Sequence, residues 1–255
     1  MVLTDTHTHL YHETDEAKRA ELMQRCADNH VNRLFLPSVD PSSVSLVFSL
    51  VDSYPDSCYP MLGLHPCSVK ENWEKELAEI KAAINGRRIF AIGEIGIDLY
   101  WDKTLLKEQV AAFRAQIAWA KELELPIVIH CRDAFDEVFN VLQQEHDEWL
   151  RGIFHCFTGT PEQAKKVIAL GFYLGIGGVV TYKNAGLDKT VQQIDLKHMV
   201  LETDSPYLTP VPHRGKPNES SYLVYVAEKV AELHKTDVRT VAKVTTENSK
   251  LVFGV

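Results

Sequence analysis

His7 and His9 stand one residue apart in Thr6-His7-Thr8-His9. On an extended strand the side chains alternate, so both imidazoles would leave from one face. Two neutral ring nitrogens placed that way can share a cation. A single His-x-His pair also fits a polar strand end, so the rest of the chain must decide. Glu94 lies in Ile92-Gly93-Glu94-Ile95-Gly96, where a buried carboxylate needs a positive partner, either a metal or an Arg or Lys side chain. His130 closes Pro126-Ile127-Val128-Ile129-His130, and His155 closes Gly152-Ile153-Phe154-His155. Asp204 follows Val200-Leu201-Glu202-Thr203, a place where a carboxylate could also cap a helix. Each residue has a structural reading when taken alone. Four histidines and two carboxylates, all at the ends of apolar runs, point jointly to one centre of divalent cations. Nitrogen and oxygen donors without thiolate suit Zn²⁺, Mn²⁺ or Mg²⁺.

Such donors converge only if the elements carrying them are arranged around a common mouth. Short apolar runs recur at Val2–His9, Arg33–Val39, Tyr59–His65, Ile89–Gly96, Ile127–Cys131, Gly152–Phe157, Phe172–Gly177 and Met199–Asp204. They are β-branched-rich and nearly continuous, as parallel strands covered on both sides should be. Amphipathic stretches separate them. Within 105–123, Leu106, Val110, Phe113 and Ile117 form one stripe, and Tyr222, Val226, Val230 and Leu233 form another. Thr160-Pro161-Glu162-Gln163 reads as a capped helix start. Strand and helix alternate throughout, which gives an α/β class. Eight runs match a (β/α)₈ TIM barrel, expected to be a single domain over 1–255, with its active site at the carboxyl ends of the strands. An open doubly wound sheet shows the same alternation.

Around the six candidates stand residues with weaker signals. His65 ends the third run and could meet a substrate phosphate or simply brace Pro66. Arg132 follows a candidate ligand and could meet phosphate or pair with Asp133. Glu202 shares a strand face with Asp204 one layer deeper, and is expected behind the ligands. Arg214 and Lys216 put positive charge in a loop. Among Trp73, Trp101, Trp119 and Trp149, Trp101 is the one placed to stack on a base, the other three being expected in core or rim packing. Gly175-Ile176-Gly177-Gly178 lacks dinucleotide-loop spacing, and no phosphate-loop motif occurs.

The 255 residues carry a net charge of −8, with 45% hydrophobic and 24% charged side chains. That balance disfavours tight coating of a polyanion, which relies on a basic excess. It leaves room for local capture at an active site, where bound cations reverse the sign of the field. MVLTDTHTHL has no signal-peptide character, and no apolar stretch reaches roughly 18 residues, so the expected location is the cytoplasm. The five cysteines form no Cys-x-x-Cys pair, which argues against both a disulfide framework and a structural zinc site. Cys131 and Cys156 follow His130 and His155, and strand alternation would turn them toward the helices.

These stretches together resemble the TatD family of metal-dependent deoxyribonucleases, a branch of the amidohydrolase-like barrels. The similarity lies in Asp5-Thr6-His7-Thr8-His9, Gly63-Leu64-His65-Pro66, Gly93-Glu94-Ile95-Gly96-Ile97-Asp98, Ile129-His130-Cys131-Arg132-Asp133-Ala134, Phe154-His155-Cys156-Phe157-Thr158-Gly159, Glu202-Thr203-Asp204-Ser205-Pro206-Tyr207-Leu208 and Arg214-Gly215-Lys216-Pro217-Asn218-Glu219, together with the end Asn248-Ser249-Lys250-Leu251-Val252-Phe253. The resemblance implies a TIM barrel, a two-metal centre and hydrolysis of DNA phosphodiesters, in relatives often from the 3′ end. It implies one cation on His7, His9 and Asp204, a second on His130 and His155, and Glu94 bridging both. Asp204 would then act as general base or water orienter. DNA is the implied partner, held at the active site, with no obligate protein partner. Asp98-Leu99-Tyr100-Trp101-Asp102 departs from the family pattern, in which Asp-Tyr is often followed by another aromatic and Arg or Lys. The same centre could instead cleave another ester or amide, such as an aminoacyl-tRNA ester. A non-catalytic binding module is the reading from a different class.

Overall fold

The apolar runs become eight parallel strands, most of them with a β-branched or leucine-rich centre. In the computed structural model, which describes residues 1–255, they are β1 Leu3–Asp5, β2 Val31–Pro37, β3 Cys58–Met61, β4 Ile92–Asp98, β5 Ile127–Arg132, β6 Gly152–Phe154, β7 Phe172–Ile176 and β8 Met199–Leu201. The helices are α1 Glu16–Asp28, α2 Pro41–Ser53, α3 Trp73–Ala83, α4 Leu106–Glu122, α5 Phe135–Glu145, α6 Pro161–Ala169, α7 Leu187–Val191, α8 Leu223–His234 and α9 Val238–Phe253. Thr160 and Gln163 form the anticipated capping box at α6.

Strands β1 to β3 pair in one stretch and β4 to β8 in another. The two stretches join at both seams. Gly93 N–H donates to the Leu62 carbonyl between β3 and β4 (3.0 Å). Across β8 and β1, Thr6 N–H donates to Leu201 O (3.0 Å) and Asp204 N–H to His7 O (2.9 Å). The sheet is a closed α/β barrel of the TIM type.

Most of the apolar core lies between the strands and the helices. Inside the barrel, Phe35, Met61, Val128, Ile153 and Val200 fill the lower half, and Val252 and Phe253 of α9 plug it from below. The Phe35 and Phe253 rings stack with centroids 3.8 Å apart. The upper half of the barrel is polar.

Strands are shorter than the runs that announced them. His7, His9, His65, His155 and Asp204 stand on loops just beyond strand ends, while Glu94 and His130 remain within strands. At the mouth, side chains replace ladder bonds: Asp5 Oδ1 accepts from the N–H groups of His7 (3.3 Å) and Thr203 (2.9 Å). Glu202 Oε1 accepts from Cys156 N–H (2.5 Å). The two apolar stripes also need correction. On α4 the buried face includes Gln109 and Gln116, with Leu106 and Val110 only partly covered. Gln116 clamps both backbone polar groups of Leu64 (2.7 and 3.2 Å), and Gln109 those of Asp98 (2.8 and 3.1 Å). On α8 the stripe begins with Leu223 in place of Tyr222. Trp149 is exposed where it follows α5, because Asp147 turns that loop outward by accepting its N–H. No helix is long and apolar enough to cross a membrane.

Candidate metal centre

Glu94 owes its position to a bulge. β4 pairs Ile92 with Ile127 and Ile95 with Ile129, so two residues, Gly93 and Glu94, face one, Val128. An extra residue of this kind re-aims a side chain. Here it turns Glu94 into the barrel while Ile92, Ile95 and Ile97 keep packing outward. The Glu94 side chain is 3% exposed, and every ionic neighbour it has is a histidine. No Arg or Lys pairs with it, which removes the salt-bridge alternative.

Its two oxygens face different histidine sets. Glu94 Oε2 lies 3.2 Å from His7 Nε2 and 3.7 Å from His9 Nε2. Glu94 Oε1 lies 2.7 Å from His130 Nδ1, 3.3 Å from His65 Nε2 and 3.8 Å from His155 Nε2. Asp204 Oδ1 sits between the sets, 3.5 Å from His9, 3.8 Å from His155 and 3.9 Å from His7. A left-handed φ of 55° at Asp204 swings its side chain toward the mouth. The structure therefore brings together all six residues singled out by residue type and spacing. His65 joins them, in contact with both His130 and Glu94.

A ring of carboxyl and hydroxyl groups aims the imidazoles. His130 Nε2 lies 2.8 Å from Asp98 Oδ2, leaving Nδ1 for the centre. His155 Nδ1 is 3.0 Å from Glu202 Oε1, and His9 Nδ1 is 2.8 Å from the Tyr11 hydroxyl. Such partners set the orientation of each ring. Glu202 thus stands behind His155, as its strand position indicated. Asp98 and Tyr11 were missed, although period-two spacing marks both: Asp98 shares the strand face of Gly96, and Tyr11 continues the series His7, His9. Gly175 makes room for Glu202, since a β-carbon there would strike its carboxylate. That is the work of the glycine-rich stretch.

The donor set fits divalent cations. The His7 and His9 Nε2 atoms face each other at 3.3 Å, an arrangement with at most one proton to share and a natural one around a positive ion. Glu94, Asp98, Glu202 and Asp204 crowd the site with no Arg or Lys to balance them. Burial, helped by repulsion from His155, lowers His7 to about 4, so its imidazole is neutral at pH 7. Burial also opposes charge at His155, but Glu202 and Glu94 outweigh it and lift this imidazole to about 10. Glu94 is held well below its usual range: burial works against its charge, and His65, His7 and His155 overcome it. The centre calls for positive charge.

Glu94, His130, His155 and Asp204 line a cavity of about 690 Å³. Arg132 and Trp101 stand on its rim. Arg214 lies instead over Tyr182, its guanidinium carbon 3.9 Å from the ring centroid, and Lys216 lines a neighbouring cleft. Cys156 departs from the strand rule: its φ of 45° turns it away from the helices, and with Cys131 it borders the same cavity. Burial pushes both thiols up, Cys131 to about 12, so neither is a nucleophile at neutral pH.

Imidazoles and carboxylates at the carboxyl mouth of a closed parallel barrel define a metal-dependent barrel hydrolase. The family model described as TatD related DNase matches residues 4–254. The chain is 41% identical over 255 residues to uncharacterized metal-dependent hydrolase YabD of Bacillus subtilis, covering 100% of both. It is 30% identical to 3′-5′ ssDNA/RNA exonuclease TatD of Pectobacterium parmentieri, over 93% of this chain and 94% of that one. Among solved structures it resembles YjjV, a TatD homolog from Escherichia coli, with a TM-score of 0.92 at 26% identity over 99% and 98% of the two chains. The chain belongs to the TatD family of metal-dependent hydrolases.

Proposed function

We propose that this protein hydrolyses phosphodiester bonds of DNA from the 3′ end, using two divalent cations, Mg²⁺, Mn²⁺ or Zn²⁺. The observation that carries the reading is Glu94, whose two oxygens address two separate histidine sets beneath one open cavity. His7, His9 and Asp204 would hold one cation, His130 and His155 the other, and Glu94 both. When bound, the pair supplies Lewis acidity toward water and phosphate oxygens. The name of the Pectobacterium relative, a 3′-5′ ssDNA/RNA exonuclease, supports a nucleic-acid strand attacked from its 3′ end. The net charge of −8 fits capture of a strand end better than coating of a duplex.

Asp204 is the general base of this reading. All its close ionic contacts are made through Oδ1, so Oδ2 is open to take a proton from the attacking water. His65, 15% exposed at the side chain, presents its imidazole edge beside the same oxygen of Glu94 as His130 does, where a substrate phosphate would arrive.

Turnover of 3′- and 5′-end-labelled DNA, titrated with Mg²⁺, Mn²⁺ and Zn²⁺, tests the proposal. Asp204→Asn, assayed at saturating metal, is expected to lower kcat by about 10²-fold or more. His130→Ala should lower both metal content and turnover. Cleavage of an acyl ester with DNA left intact would move the protein to the ester-hydrolase reading. No hydrolysis with any of the three ions would leave a binding module.

A further inference from the structure

The loop after β4 carries two aromatic side chains that the centre does not use. Tyr100 and Trp101 are 52% and 71% exposed, and their rings stand perpendicular with centroids 4.9 Å apart. Arg132, at the end of β5, reaches over them. Its guanidinium carbon lies 3.7 Å from the Tyr100 ring centroid and 5.6 Å from that of Trp101. The neighbouring Asp133 does not pair with it, and the guanidinium makes neither a hydrogen bond nor an ion pair with the protein. This cation is oriented by aromatic stacking with its N–H donors unspent. Trp101 and Arg132 border the same cavity as Glu94 and Asp204.

The loop is tied to the centre itself. Asp98 Oδ1 accepts from the N–H groups of Tyr100 (2.9 Å) and Trp101 (3.2 Å), while Oδ2 lies 2.8 Å from His130 Nε2. Asp98 and Arg132 are also register partners on β4 and β5. One carboxylate therefore fixes the rim aromatics relative to an imidazole of the centre. An exposed tryptophan face offers a stacking surface to any base. A stacked guanidinium presents its edge to phosphate oxygens.

We propose that Tyr100, Trp101 and Arg132 form a nucleotide subsite beside the scissile position: Trp101 stacks on a base, and Arg132 binds the phosphate attached to that nucleotide. Tyr100 is a positioning residue that holds Arg132 in its plane. The inference rests on the phosphodiester reading above and assigns recognition of the adjoining nucleotide to a loop in which this chain departs from the pattern of the family it resembles.

Steady-state kinetics on three substrates tests it: an oligodeoxynucleotide, the same strand with abasic residues at its two 3′-terminal positions, and bis(4-nitrophenyl) phosphate. Trp101→Ala is expected to raise KM for the normal strand by about tenfold or more, the size of one base–aromatic stack. Trp101→Phe should restore most of the loss. The abasic strand should show a raised KM with wild type, and Trp101→Ala should raise it no further. Arg132→Gln should raise KM for both strands, because both keep the phosphate. Trp149→Ala, exposed at the opposite end of the barrel, is the control and should change nothing. If Trp101→Ala raises KM equally on normal and abasic strands, or on neither, the subsite is overturned while the nuclease stands. Wild-type cleavage of the aryl diester with neither strand cut overturns the subsite and the DNA reading together.

Discussion

His130 is useful to the centre only because Asp98 holds its other nitrogen. With Nε2 held 2.8 Å from a buried carboxylate, the ring is turned so that Nδ1 faces Glu94 Oε1 at 2.7 Å. Asp98→Asn offers an amide that can satisfy either tautomer. The expected result is metal affinity weaker by about 10- to 100-fold, with kcat returning toward wild type at saturating Mn²⁺. Chelator competition measures the affinity, and an unchanged value would remove Asp98 from the design. At this scale the sequence revealed donors more readily than their supports. His7, His9, Glu94, His130, His155 and Asp204 were visible because each ends or interrupts an apolar run, where a polar group needs a reason. Glu202 was visible through its strand face. Asp98 and Tyr11 carried only the period-two spacing: the contact of Asp98 with His130 depends on how two strands approach in space, and Tyr11 follows His9 beyond the strand, where alternation no longer applies. His65 fell between: its place at a strand end was legible, its contact with His130 was not.

Among the elements, β4 does the most to shape the site. Its bulge turns Glu94 inward, and Gly96 lets β5 come close enough to bring His130 alongside. Gly96 has a φ of 143°, and a β-carbon there would collide with the His130 carbonyl. Gly96→Ala therefore combines a backbone conformation that L-residues avoid with a backbone clash. It should cost about 3 kcal/mol or more of unfolding free energy and weaken metal retention as His130 shifts. Denaturant titration would show this, and a loss under about 0.5 kcal/mol would mean that β4 and β5 adjust freely. The helices and the order of the strands could be read from periodicity. The strand ends could not, because at the mouth Asp5 and Glu202 satisfy backbone N–H groups that a regular ladder would have used. The buried glutamines of α4 were hidden for a related reason: an amide that pairs with both polar groups of one backbone residue sits in an apolar face without penalty.

Across the whole molecule, closing the barrel means joining residues nearly two hundred positions apart, and polar groups fasten that seam. Asp5 takes the Thr203 hydroxyl and N–H, Thr8 meets Ser205 and Ser220, and Asn218 donates to Thr203 O and Tyr207 O. On the outer side Arg25 of α1 grips both oxygens of Glu219. Burial works against the Glu219 charge, but Arg25 and Ser221 outweigh it and hold its carboxyl below the ordinary value of 4.5. A carboxylate depressed in the folded state contributes stability above its unfolded value, and that contribution disappears as pH falls through the folded one. Glu219→Gln should therefore be less stable than wild type at pH 7. Arg25 is 45% exposed, so solvent screening limits the difference to about 0.5–1 kcal/mol, or roughly 1–4 °C in Tm for a chain of this size. The gap should narrow as pH drops below about 4.5 and close once Glu219 of the wild type is protonated. Thermal melts from pH 7 to pH 3 trace it. A gap that persists undiminished at pH 3 would assign the seam's stability to packing of α1 against the loop before α8, and leave the ion pair without a part in holding the ring shut.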